Sequence, residues 1–273
     1  QTGVGTGALP LLARHEIIAL PSATSLAVQR QTWQNRPIAS KTVAVFADPV
    51  FTANDNRFTG NHPPTNSEPD GRDIASRFGC TDFARLHHTA TEANQILDLV
   101  PDAEEFSALG FAANHDAATD ANLSQYQILH LATHGCIQDD ARLSGLALSF
   151  YEQNGNEAKN NRLTLQDIYN LELNAELVVL SACQTGIGDD IAGEGVVGLT
   201  SGFFYAGAKR VVVSLWNVND QATSDLMSDY YRRMLEEGKD PNQALRQAQL
   251  NLWNSDEFAA PFYWAAFTVQ GEF

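Results

Sequence analysis

The chain has 273 residues, 44% hydrophobic and 18% charged, so it is long enough to bury a substantial core as one large domain or two small ones. Its 33 acidic and 17 basic side chains give a net charge of −16, a field that repels nucleic acid and anionic membranes and favours cationic or neutral partners. No apolar run approaches the roughly 20 residues of a membrane-spanning helix. The odd set Cys80, Cys136 and Cys183 lacks disulfide-framework spacing, which points to a reducing, cytoplasmic compartment. The chain begins at Gln1 without methionine or a signal-peptide layout, so a piece of a longer protein is expected.

In chain order, His15 to Leu20 and Thr42 to Ala47 read as strands, the second stopped by Asp48-Pro49. From Phe51 to Thr81 the sequence turns polar and rich in Asn, Asp, Gly and Pro, the composition of a long exposed excursion. Thr89 or Thr91 is placed to cap a helix through Glu92 to Leu99, and Glu105 to Ala112 reads as a strand. A short helix over Asp120 to Gln127 leads into a strand ending at His134. Leu143 to Tyr151 alternates like half a hairpin, with Gln153 to Asn161 as its loop. Thr164-Leu165-Gln166-Asp167 opens a helix that Leu173 closes. Then come a strand ending at Ala182 or Cys183, a Gly-rich helix from about Gly195 to Ala206, and the strand Arg210 to Leu215. Amphipathic helices Gln221 to Glu237 and Pro241 to Trp253 follow, and Phe262 to Val269 closes the domain. Strands alternating with helices of this length imply a mostly parallel sheet covered on both faces.

Two runs carry the chemistry: Ile128-Leu129-His130-Leu131-Ala132-Thr133-His134-Gly135 and Leu177-Val178-Val179-Leu180-Ser181-Ala182-Cys183-Gln184-Thr185-Gly186. Each is an apolar run of strand length that ends in a reactive side chain beside small residues. Loops leaving the carboxyl ends of neighbouring parallel strands converge on one crevice, where a His and a Cys can act as base and nucleophile. A nearby imidazole or helix amino end stabilises the thiolate that such chemistry needs. The backbone N–H groups of Gly135 and Cys183 are the candidate oxyanion hole. The plainer reading makes Cys183 a buried core thiol and His134 a satisfied loop histidine.

These residues resemble a known family. Ala132-Thr133-His134-Gly135 and Leu180-Ser181-Ala182-Cys183-Gln184-Thr185-Gly186 look like the two signature motifs of the CHAT domain, a caspase-like peptidase domain associated with tetratricopeptide repeats. Ala44 to Pro49, Gly193 to Leu199, Ser214 to Asp220 and Pro261 to Phe267 resemble further motifs of that family, so the likeness covers nearly the whole chain as a single domain, 1–273. The resemblance implies an α/β, three-layer caspase-like fold with a mostly parallel central sheet covered by helices on both faces. It also implies a His134–Cys183 dyad in a cysteine endopeptidase related to caspases and separases, acting on a protein or peptide without metal or organic cofactor. An upstream repeat or sensor region is the expected neighbour. A catalytically silent interaction domain of the same fold is the rival.

Acidic residues near the dyad, Asp189, Asp190, Glu194 and Asp220, with Asp48 at the end of the early strand, would favour a basic residue before the cleaved bond. At this net charge acids are scattered everywhere, and a loop acid is more often simply solvated. Separases place a further acid after the tryptophan segment, where this chain has Ser224 beside Asp225, and that departure weakens the basic preference. Trp216 either lines a substrate subsite or packs in the core. Cys136 could join His134 and Cys183 at zinc, but a fourth ligand is missing. An intracellular protease needs a gate, and the excursion 51–81 and the loop Gln138 to Arg142 are candidates; Arg57, Arg72 and Lys159 are possible self-cleavage sites.

Overall fold

Valine, leucine and isoleucine in unbroken runs make strands buried on both faces, and the sheet of this protein is assembled from such runs. The computed structural model describes residues 9–20, 22–34, 36–58, 83–119, 121–136, 144–181 and 192–272. The described elements begin with β1 (Ile18–Ala19), α1 (Ala23–Trp33), β2 (Lys41–Ala47), α2 (His87–Leu97) and β3 (Glu105–Leu109). There follow α3 (His115–Thr119), β4 (Tyr126–Ala132), β5 (Gly135–Cys136), β6 (Gly145–Ala147), β7 (Arg162–Thr164), α4 (Leu165–Asn170) and β8 (Leu177–Leu180). The chain continues through α5 (Ala192–Ala206), β9 (Arg210–Ser214), α6 (Asp220–Leu235), α7 (Pro241–Trp253), α8 (Pro261–Trp264) and β10 (Phe267–Gly271).

The main sheet has the order β1-β10-β9-β8-β4-β2-β3. Its neighbours pair in parallel except β10, which runs antiparallel to β9. A small antiparallel sheet, β5-β6-β7, stands beyond the carboxyl ends of β4 and β8. Side chains alternate across the main sheet. Val43, Val45 and Ala47 pack with Ala93 and Ile96 of α2, Leu226 and Tyr230 of α6 and Leu245 of α7. Ala44 and Phe46 face the other layer with Ile168 of α4 and Leu199 and Phe203 of α5. Each large aliphatic side chain buried this way contributes about 1.5–3 kcal/mol. The result is the three-layer α/β arrangement that the strand and helix pattern predicts.

Differences from the sequence reading have local causes. The strand expected at 15–20 shortens to the two residues of β1, paired to the edge of the sheet through β10. Helix α1 has no counterpart in the reading, because Ala-Thr-Ser-Leu-Ala-Val-Gln-Arg-Gln-Thr-Trp carries no apolar periodicity; it is held by Leu26, which is buried, and by the Arg30–Glu272 ion pair at 2.7 Å. Helix α2 starts at His87 rather than beyond a threonine cap. Thr89 lies inside it, donating to the Leu86 carbonyl at 2.8 Å and accepting from the Asp48 N–H at 3.1 Å. Strand β3 stops at Leu109, where Gly110 turns the chain with φ 59°. The Thr164–Asp167 capping box forms as expected, but α4 ends at Asn170, short of Leu173. Of the stretch read as an exposed excursion, residues 51–58 are described, with Phe51 buried and the others exposed or half-buried; the remainder lies outside the described residues.

Candidate active site

Strands β4 and β8 lie side by side and parallel, with Leu131 the register partner of Leu180. The ladder continues one residue further, the Ser181 N–H donating to the Leu131 carbonyl at 3.2 Å. The chain beyond β4 is pinned by β6: the Thr133 hydroxyl donates to the Ala147 carbonyl at 2.6 Å, and the Ala147 N–H donates to the His134 carbonyl at 2.8 Å. Close approach is built into this small sheet, since a Cβ on Gly145 would stand 2.3 Å from the Leu163 carbonyl oxygen. Gly135 follows in β5, buried and in register with Leu146.

His134 is 1% exposed. Its ring packs against Phe51 at 5.3 Å and Phe83 at 5.5 Å between centroids, and both phenyl rings also touch Phe150. His134 Nε2 lies 2.7 Å from the Ala84 carbonyl oxygen. A carbonyl can only accept, so the proton belongs on Nε2, and in the neutral ring the lone pair is then on Nδ1. Backbone from the segment before α2 therefore sets the tautomer and rotation of the imidazole. The arrangement suits a base whose acting atom is Nδ1, in surroundings too dry for water to compete.

Asp48, at the carboxyl end of β2, is 5% exposed and has φ 50°, the one positive φ outside glycine among the described residues. Short polar side chains tolerate this left-handed conformation. Arg85 grips the carboxylate with Nε at 2.9 Å and Nη2 at 2.8 Å, and Arg57 Nη1 reaches Oδ2 at 2.8 Å. Arg57 also holds Asp55 at 2.6 Å. Burial would raise the Asp55 carboxyl, but the Arg57 hydrogen bonds and charge, with Arg85 beyond, bring it below the ordinary carboxylate range. The Arg85 guanidinium is held protonated more firmly by its hydrogen bond to Asp48. This clasp fastens the first part of the excursion to the sheet end.

The other expected residues distribute as follows. Asp220 opens α6, and its Oδ2 accepts from the His88 N–H at 2.8 Å, capping α2. Trp216 is half-buried, packs against the α6 side of the core and donates from Nε1 to the Phe262 carbonyl at 3.0 Å. Glu194 lies within α5, and Cys183, Asp189 and Asp190 lie outside the described residues, as does the loop 138–142. Cys136 is buried and disulfide-bonded. That bond stands against the expectation of reduced thiols, and a disulfide sulfur is not available as a zinc thiolate. Among the described residues no group of three or more His, Cys, Asp or Glu side chains could hold a metal ion. No helix among them is long and apolar enough to cross a membrane.

Sequence reasoning did not single out Phe83, Phe150, Arg85 or the Ala84 carbonyl. The phenylalanines carried a signal, being large apolar residues at the borders of polar stretches; a backbone carbonyl carries none.

Tetratricopeptide repeat protein 28 of Homo sapiens is 26% identical over 275 residues, covering 96% of this chain but 11% of that protein. Tetratricopeptide repeat protein 28 of Mus musculus is 36% identical over 109 residues, covering 40% of this chain and 4% of its own length. The chain thus spans about a tenth of the human relative. The family model described as the CHAT domain matches residues 4–272, and on that match the chain belongs to the CHAT domain family.

Proposed function

We propose that this domain is a regulated cysteine endopeptidase in which His134 is the base and Cys183 the nucleophile. The observation that carries the reading is the register of β4 and β8: Leu131 and Leu180 are partners, and His134 and Cys183 each lie three residues further along. His134 Nδ1 takes the thiol proton and the thiolate attacks the scissile carbonyl. The N–H groups of Gly135 and Cys183 receive the oxyanion. The imidazolium then protonates the leaving amine, and water hydrolyses the thioester.

Burial of His134 beneath Phe51 and Phe83 supports a latent state in which the segment carrying Phe83 and Ala84 must shift before a peptide enters. Selection of a basic residue before the cleaved bond is assigned to Asp189, Asp190 and Glu194, since the carboxylates of Asp48 and Asp220 are engaged by Arg57 and Arg85 and by the His88 N–H. The face of Trp216 left open by its bond to Phe262 is the proposed subsite wall. The relatives' repeats suggest that an upstream repeat region delivers the activating signal.

The test is digestion of a peptide library in reducing buffer, comparing the wild type with Cys183→Ala and His134→Ala and reading cleavage sites by mass spectrometry. Loss of about a thousandfold or more in either variant is expected. A basic residue before each cut supports the acidic pocket, and an apolar or acidic one removes it. The same burial of His134 favours a second reading, a silent interaction domain. Absence of cleavage both in the isolated domain and in full-length protein with its partner would establish that reading instead.

A further inference from the structure

Beneath the dyad lies a polar cluster that the proposed chemistry does not use. His130 sits in β4, four residues before His134, and is fully buried. Its Nε2 stands 2.9 Å from Glu92 Oε1 of α2, a carboxylate also fully buried. Its Nδ1 lies 3.0 Å from the Tyr231 hydroxyl of α6, and Ser181 Oγ at the end of β8 is 3.4 Å from Nε2. Tyr230 stacks edge-on against Tyr231 at 5.6 Å. These are the titratable and polar groups that face the ring from α2, α6 and β8 among the described residues.

A buried carboxylate is costly unless it is paired. Among the described residues neither Glu92 oxygen has an aligned hydrogen-bond donor, so the contact with His130 is what offsets that cost. Burial, with Tyr230 and Glu92 adding to it, holds the Tyr231 phenol well above its ordinary range. A carboxylate can only accept, so the proton belongs on Nε2, and in the neutral ring Nδ1 then accepts from the Tyr231 O–H. Buried polar groups retained at such cost specify an arrangement in some proteins, and the elements joined here are notable. β4 leads to His134. β8 ends at Leu180, and Ser181 follows it, two residues before Cys183 in sequence. α2 follows the Ala84 carbonyl that orients the His134 ring.

We propose that His130, clamped between Glu92 and Tyr231, is a positioning residue for the dyad, fixing the ends of β4 and β8 and the start of α2 relative to one another. The proposal rests on the His134–Cys183 reading. Its test needs no natural substrate: Cys183 is alkylated with iodoacetamide between about pH 5 and 9, and the rate is followed by mass spectrometry of the Cys183 peptide after phosphine reduction. In the wild type the midpoint should lie below the ordinary thiol value of about 8.5, and His134→Ala should move it up. Glu92→Gln and Tyr231→Phe should move it the same way, lowering the rate at pH 7 by about tenfold for each unit of displacement. Ile168→Ala, in the opposite helical layer, should lower thermal stability without moving the midpoint. If Glu92→Gln does not fold, Tyr231→Phe, which removes one hydroxyl, decides the matter. Wild-type midpoints in the Glu92 and Tyr231 variants, with His134→Ala displaced, would overturn the positioning role. An equal displacement in Ile168→Ala would also overturn it. Coincidence of wild type and His134→Ala would instead overturn the dyad itself.

Discussion

Two histidines four residues apart on one chain segment meet opposite surroundings. His130, in the body of β4, is wrapped by side chains from three elements: a carboxylate, a phenol and a serine hydroxyl. His134, just past the end of the same strand, meets phenylalanine rings and a backbone carbonyl. Both are almost wholly buried, so burial alone does not distinguish them. The character of the partners does. A buried carboxylate faces the His130 ring, whereas the His134 ring meets phenyl rings and the Ala84 carbonyl oxygen.

That contrast predicts opposite mutational signatures. His130→Ala should be the most damaging to folding, because it strands Glu92; breaking a buried pair of this kind costs about 3–5 kcal/mol, read as a lower urea midpoint. The double variant Glu92→Leu with His130→Leu should recover much of that loss, since buried pairs exchange for apolar residues at little net cost. If the single and double variants unfold alike, the pairing is not what holds the two elements together. Next comes Phe51→Ala, which leaves a void beside His134; it should cost about 3–5 kcal/mol and also raise the exchange or labelling rate at His134.

The remaining predictions sharpen the comparison further from the dyad. Stability should fall in acid, because the Asp55 and Asp229 carboxyls both lie below their ordinary range in the folded protein. Burial opposes this in each; Arg57 with Arg85 outweighs it at Asp55, and Arg233, Arg232 and Asn251 outweigh it at Asp229. A carboxyl whose folded value is depressed contributes stability that is full above its unfolded value of about 3.9 and lost as the pH falls through the folded value. Thermal unfolding between about pH 2 and 5 should therefore steepen in the wild type and flatten in Asp55→Asn or Asp229→Asn. The smallest effect expected is Thr164→Ala, which removes the capping box of α4 and should cost about 1 kcal/mol in denaturant unfolding, with no change in Cys183 labelling.

Much of this molecule was legible in local pattern. The runs Thr42 to Ala47, Ile128 to Ala132 and Leu177 to Leu180 announced buried parallel strands through unbroken β-branched and aliphatic residues, and Thr164 with Asp167 announced the start of α4. Helix α1 was not legible, because it carries no apolar periodicity of its own and its contacts, buried Leu26 and the bond from Arg30 to Glu272, are tertiary. Asp48 was read as a free acid at a strand end. Its local sequence could not reveal that Arg85, 37 residues later, folds back over it. Asp220 was read the same way, and its engagement with the His88 N–H spans 132 residues.

What the sequence determined by itself is the order and kind of most elements, α1 excepted, because helix and strand periodicity, capping residues and glycine are properties of a few consecutive positions. It also marked the strands that precede His134 and Cys183 in sequence, since a reactive side chain after an apolar run is visible without a fold. Only the tertiary structure decided which groups those side chains meet. The pairing of His130 with Glu92 and Tyr231, the Ala84 carbonyl on His134 and the grip of Arg85 on Asp48 join residues from 37 to 101 positions apart. They exist because stacking helices on both faces of one sheet brings those distant positions within hydrogen-bond reach.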